Sequence, residues 1–348
     1  MKKFSIIGLL KIVLPLLLGV YLIWYFFDNM SEKELEGFYK ALKNANYFWI
    51  FLSLILSFVA FLLRAYRWKY VLEPMGYKTK FWNRYHAMMI GYIVNLTIPR
   101  AGEASRAAML FRSDGVPFSK SFGTILAERA VDLIMLASVA ALTAIIGYDN
   151  FVKIFDEIKT NFSPSENASN GFPWKIVIYG VLGLGFLGLV AIMTFKKALR
   201  NKIIGFVKDV FAGLFSIFKS KNPWAYLSQT VAIWVLYVVY FAIPFLSLEQ
   251  TKDFPFEGIL LAFIAGSLGI TFTNGGIGSF PLLVGIAVAF FLGANDPNAS
   301  ATGKALGMII WISQTLFLII LGLLSLVMLP KNYNKEDVET ELLESENS

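Results

Sequence analysis

Three segments, Arg64-Ala-Tyr-Arg67-Trp68, Asn95-Leu-Thr-Ile-Pro99-Arg100-Ala-Gly102-Glu103-Ala-Ser-Arg106 and Glu128-Arg129-Ala-Val-Asp132, lie in a 348-residue chain that is 57% hydrophobic and only 16% charged. Around them, apolar runs of about 20 residues recur, each long enough to cross a hydrocarbon core of about 30 Å. An all-α polytopic transmembrane bundle follows from that pattern. Ionisable groups at bilayer depth cost about 2.5–3.5 kcal/mol each on insertion scales. A chain that keeps several of them, beside a Pro and a Gly that interrupt a hydrophobic segment, is building a polar site inside the membrane.

Working outward, uninterrupted spans are expected at 8–27, 47–66, 121–147, 174–195, 224–247 and 305–329. The run at 8–27 carries no small-residue cleavage site and reads as a retained first span. Two further apolar segments are broken. One runs over 85–117 and breaks between Asn95 and Gly102; the other runs over 257–293 and breaks at Thr273-Asn-Gly-Gly-Ile-Gly278-Ser-Phe-Pro281. Interrupted or re-entrant hairpins are expected there, because exposed backbone in lipid is tolerated only where protein or a wet cavity covers it. Lys and Arg concentrate at the N-terminus and in 64–84 and 196–221, whereas 148–173 and 248–257 are acidic or Asn/Ser-rich. By the positive-inside rule both termini are cytoplasmic. The basic segment 100–120 stays on that side only if the first broken segment is a hairpin. The two halves, 1–147 and 174–330, then form an inverted-topology repeat with paired broken segments, the plan from which transporters build a midplane site. Residues 198–220 read as an amphipathic interfacial helix, with packing against the bundle as the alternative. Residues 331–348 read as a disordered acidic tail.

Composition removes several chemistries. There is no cysteine and one histidine, His86, so no metal site and no thiol chemistry is expected. No cofactor is expected either. The formal net charge of +7 sits in the loops that orientation requires, so no nucleic-acid partner is expected. His86 reads as an interfacial residue.

The candidate substrate-binding residues are Asn95, Arg100, Glu103, Arg106, Glu128, Arg129, Asp132 and Asn274. Pro99, Gly102, Gly275, Gly276, Gly278 and Pro281 are candidate hinge or shaping positions. Pro99 suits the first turn of a helix whose free N–H groups favour a phosphate or carboxylate. Glu103 and Arg106 share a helix face and can pair. Glu128 and Asp132 lie one turn apart in an apolar stretch and should face the bundle, either lining a polar cavity with Arg129 or Arg106 as counter-charge or forming a packing cluster without substrate contact. Arg64 and Arg67 read either as part of the site or as side chains reaching to the interface.

The ordered set Arg64-x-x-Arg67-Trp68, Asn95-x-x-x-Pro99-Arg100-x-Gly102-Glu103-x-x-Arg106, Glu128-Arg129-x-x-Asp132 and Gly275-Gly-Ile-Gly278 resembles the transmembrane, flippase-like region of the lysylphosphatidylglycerol synthase family. The resemblance implies a multi-pass protein of the inner membrane that moves a lipid, with membrane lipids and a separate lipid-modifying enzyme as partners. Two positions depart from the family pattern: Phe280-Pro281 stands where an Arg-Glu is common, and Trp311 lies near a common arginine. No aminoacyl-transferring domain is expected after Pro330, so the chain reads as a transporter of an anionic or glycosylated lipid and not as a synthase. Two other classes remain open at this level, a membrane enzyme acting on a lipid-linked substrate and a structural or assembly protein.

Overall fold

The computed structural model describes residues 30–98, 100–147, 222–293 and 298–330, with isolated positions between 21 and 28 and between 204 and 208. Apart from those isolated positions, the expected spans 8–27 and 174–195, the interfacial helix 198–220 and the tail 331–348 lie outside the described residues, as does Pro99. Among the described residues every regular element is a helix. Four helical segments of the described residues are long and apolar enough to cross a membrane: Tyr47–Met75, Phe118–Ile146, Pro223–Ser247 and Ala299–Met328. The protein is an all-α, multi-pass membrane protein.

Helix α1 (Glu32–Asn44) starts at a capping box in which Ser31 Oγ accepts from the Glu34 N–H and Glu34 Oε2 accepts from the Ser31 N–H. Asn46 then caps α2 (Tyr47–Arg67), which continues through a helical turn to Met75 and ends at Gly76 in the left-handed region. The first broken segment is α3 (Phe81–Thr97) followed by α4 (Gly102–Asp114), which terminates at Gly115. Helix α5 (Phe118–Ile146) begins directly after Pro117. Beyond 222 come α6 (Pro223–Ala242), with proline in its first turn, then α7 (Phe256–Phe272), α8 (Ser279–Leu292) and α9 (Ala299–Met328).

Both broken segments are helical hairpins: α3 packs along α4, and α7 along α8. The first hairpin closes tightly because glycine stands at the crossing. A Cβ on Gly102 would run into the Gly91 carbonyl and lie 2.5 Å from the Asn95 amide. Asn95 Oδ1 accepts from the Gly102 N–H at 2.7 Å, which satisfies backbone at the break. The second break is closed from its flanks. Thr273 Oγ1 donates to the Ile277 carbonyl (3.1 Å), Ser279 Oγ to the Gly269 carbonyl (2.6 Å), and Trp311 Nε1 to the Gly275 carbonyl (2.8 Å). Pro281, expected in the break, sits instead within the first turn of α8, where its missing N–H costs little.

The helices of the two described parts interleave. Helix α2 packs on α6, α5 on α7, and α9 on α3 and α8. The tips of the two hairpins touch, with the Leu96 side chain seated where a Cβ of Gly275 would be. One large apolar core spans α1, α6, α7, α8 and α9, and a smaller one, centred on Trp68, Leu72, Leu110 and Ile125, joins α2, α4 and α5. His86 is buried within the protein: its Nδ1 lies 2.9 Å from Ser325 Oγ of α9, and its ring stacks on Trp82.

Gly102→Ala is expected to lower the thermal unfolding midpoint of the purified protein, with a cost of about 1–3 kcal/mol for overpacking a close crossing. Gly37→Ala, whose added methyl would meet the Ala301 Cβ at 3.1 Å, is expected to lower it less.

Candidate functional site

The ionic residues of α2, α4 and α5 meet in one cluster walled by α6. Asp132 accepts from Arg64 Nη2 at 2.7 Å and lies 3.5 Å from Arg67 Nη2. The Nη1 nitrogens bond outward: Arg64 Nη1 donates to the Tyr237 hydroxyl and Arg67 Nη1 to Thr230 Oγ1, each at 2.8 Å. One turn earlier on α5, Glu128 grips Arg106 with both oxygens, at 2.8 and 3.3 Å. That two-pronged geometry matches the planar guanidinium fork. Glu128 is 0% exposed. The Arg106 guanidinium also lies 3.7 Å from the centre of the Trp68 ring, and Trp68 Nε1 is tied to Thr124 Oγ1. Desolvated contacts of that kind are worth about 2 kcal/mol.

A second pair sits further out between the same helices. Arg129 Nη2 meets Glu103 Oε1 at 2.8 Å, with the two side chains 44% and 19% exposed. Tyr92, Asn95, Gly102, Glu103, Arg106 and Arg129 line a cavity of about 10 Å³. That is room for one water molecule.

Five of the eight expected binding residues therefore converge, with partners that differ in part from the expected ones. Glu103 pairs with Arg129, not with Arg106, because Arg106 points inward to Glu128. Asn95 lines the cavity, but its oxygen is committed to the backbone of the break. Arg100 stands exposed at the first tip with φ +58°, a left-handed backbone that costs a non-glycine residue about 1–3 kcal/mol. Asn274 is buried in the second tip, its Nδ2 without a hydrogen-bond partner. Arg64 and Arg67 belong to the cluster; they do not reach to an interface. Tyr237 and Thr230 are contributors that pattern reading passed over, whereas Trp68 stood in the Arg64-x-x-Arg67-Trp68 pattern without a role assigned to it.

Among the described residues the charge in the inner cluster does not balance. Three guanidinium groups (Arg64, Arg67 and Arg106) face two carboxylates (Glu128 and Asp132). The Nε atoms of all three arginines are buried without a hydrogen-bond partner. One positive charge is left over in a medium where an unpaired ion costs several kcal/mol. Both carboxylates are engaged by arginines, which suits holding charge in place better than accepting a proton. Among the described residues no group of His, Asp and Glu is placed to hold a metal ion.

Residues 12–322 match the family described as the lysylphosphatidylglycerol synthase TM region. The chain belongs to this family. Its relatives include the glycosyltransferase AglD of Haloferax volcanii, 26% identical over 279 residues, which cover 72% of this chain and 44% of that protein. A UPF0104 membrane protein of Methanocaldococcus jannaschii is 29% identical over 106 residues, covering 30% of this chain and 32% of the other. The chain thus spans less than half the length of the curated relatives it matches. No solved structure matches it. As a member of the lysylphosphatidylglycerol synthase TM family, the chain places the family-like segments around Arg64, Arg106 and Glu128 in direct contact with one another.

Glu128→Gln is expected to destabilise the purified protein by about 3–5 kcal/mol, because it strands Arg106 in the core. Joint replacement, Arg106→Met with Glu128→Met, is expected to restore most of that loss in the same unfolding measurement. Arg129→Gln, at the half-exposed outer pair, is expected to cost less than about 1 kcal/mol.

Proposed function

We propose that this protein carries the headgroup of an anionic or glycosylated lipid between the leaflets of the inner membrane. The observation that carries the reading is the surplus positive charge buried among Arg64, Arg67 and Arg106 beside the first of two touching hairpins. A headgroup phosphate supplies the missing negative charge, and the acyl chains stay in the bilayer. Arg106 and Arg129 are the phosphate contacts nearest the cavity, and Glu128 and Asp132 hold the arginines in place. Asn95, Arg100, Glu103 and Asn274 complete the path at the two tips, which Gly102, Gly275, Gly276 and Gly278 shape. In this reading the halves 1–147 and 174–330 are an inverted repeat, which the exchange of contacts between α5–α7 and α9–α3 supports, and both termini are cytoplasmic by the positive-inside rule.

The protein moves its lipid without modifying it, and a separate lipid-modifying enzyme acts on the same lipid. The name of the Haloferax relative, a glycosyltransferase, favours a second substrate arm, a lipid-linked sugar. It equally motivates the competing reading of a membrane enzyme, so the test must score both outcomes. Purified protein is reconstituted in liposomes carrying either headgroup-labelled phosphatidylglycerol or a labelled polyprenyl phosphate sugar. Leaflet transfer and chemical conversion are followed together. Transfer without conversion is expected. The Arg106→Met/Glu128→Met variant, still folded, is expected to lose transfer by at least about tenfold, the factor set by 1.4 kcal/mol of lost binding. Conversion in place of transfer would sink the carrier reading.

A further inference from the structure

The ion pairs between α4 and α5 form two layers of opposite polarity. In the inner layer α4 supplies the cation, Arg106, and α5 the anion, Glu128. In the outer layer α4 supplies the anion, Glu103, and α5 the cation, Arg129. Arg106 of the inner layer and both residues of the outer layer line one cavity, whose volume of about 10 Å³ is room for a water molecule. Only one oxygen of Glu103 is paired; its Oε2 is buried with no hydrogen-bond partner, as is the Nε of Arg106. A carboxylate thus sits with half of its acceptors unsatisfied at the entrance of a cluster that has one cation too many.

We infer that Glu103 is a resident anion, a built-in substitute for the headgroup phosphate, and that an entering phosphate takes Arg129 from it. The inference rests on the reading that the cluster receives an anionic headgroup. The exchange makes and breaks no covalent bond. Arg129 trades a carboxylate oxygen for a phosphate oxygen, and Glu103 turns to the open rim on which Arg129 already lies. Return of Glu103 to Arg129 then helps to expel the headgroup. Conduction needs this balance, with binding favourable enough to enter and weak enough to leave.

The test titrates the full-length protein, held in nanodiscs of zwitterionic lipid, with dihexanoyl phosphatidylglycerol, dihexanoyl phosphatidylcholine and inorganic phosphate. Glu103→Gln is expected to bind the short-chain anionic lipid about two- to fivefold tighter than the natural chain, the factor that a competing pair of this exposure commands. Its thermal midpoint is expected to stay within a degree or so of the natural chain's, and Glu103→Gln with Arg129→Gln is expected to lose the gain. An equal gain for inorganic phosphate supports the inference and shows that the phosphate alone is read. A gain confined to the lipid supports it and assigns the site to a headgroup held by its chains. Unchanged or weaker binding by Glu103→Gln overturns it, as does a gain that persists in the double variant. If the natural chain binds anionic lipid while Glu103→Gln changes nothing, the inference alone falls; if the natural chain binds neither lipid nor phosphate, the carrier reading falls with it. Should Glu103→Gln not fold, Glu103→Asp, which draws the carboxylate back from Arg129, is expected to show a gain in the same direction, and its absence overturns the inference.

Discussion

Two carboxylates on one turn of α5 hold three guanidinium groups from α2 and α4, and the placement of the surrounding helices depends on that grip. Asp132 draws the end of α2 against α5, and Glu128 draws in α4. Trp68 fills the space between, with Arg106 against its ring face. Tyr237 and Thr230 of α6 take the outer arginine nitrogens, so the second half of the chain is fastened to the same ions. Ion pairs of this depth are poor sources of net stability, since removing charge from water consumes most of the attraction. Their effect lies in specificity: α2, α4 and α5 can satisfy their ions in few other arrangements.

The backbone follows the same constraint. Two helices stop inside an apolar stretch, and each stop is closed by side chains brought from nearby: Asn95 at the first, Thr273, Ser279 and Trp311 at the second. In hydrocarbon this closure is obligatory. It also explains why polar residues cluster at the breaks, where they serve the chain before they serve any ligand.

Much of this was legible in the sequence. The length of the apolar runs gave the membrane class, and the interruptions at 95–102 and 273–281 located both hairpins, because Pro, Gly and Asn in an apolar run have few other uses. The spacing of Glu128 and Asp132 put them on one inward face. The partners were not legible. Glu103 and Arg106 have ideal spacing for a mutual pair, yet the register of α4 on α5 sends one outward and the other inward, and a single chain carries no trace of that register. Arg64 and Arg67 stayed open between the site and the interface because the pull of Asp132, 65 and more residues away, is not a local signal. The partner of His86 was hidden for the same reason, Ser325 lying on α9. Local rules read the elements; the pairings came from the packing.

The meeting of Leu96 with Gly275 has a mechanical consequence. Among the described residues, the hydrogen bonds at the two tips close within their own hairpin or onto α9, and none joins Leu96's turn to Gly275's. Between them lies only dispersion contact, and lipid tails can replace that at little loss because hydrocarbon is as apolar as leucine. The junction is a slip plane: the tips can part without stranding a donor or an acceptor, and the friction opposing their motion comes from shape alone.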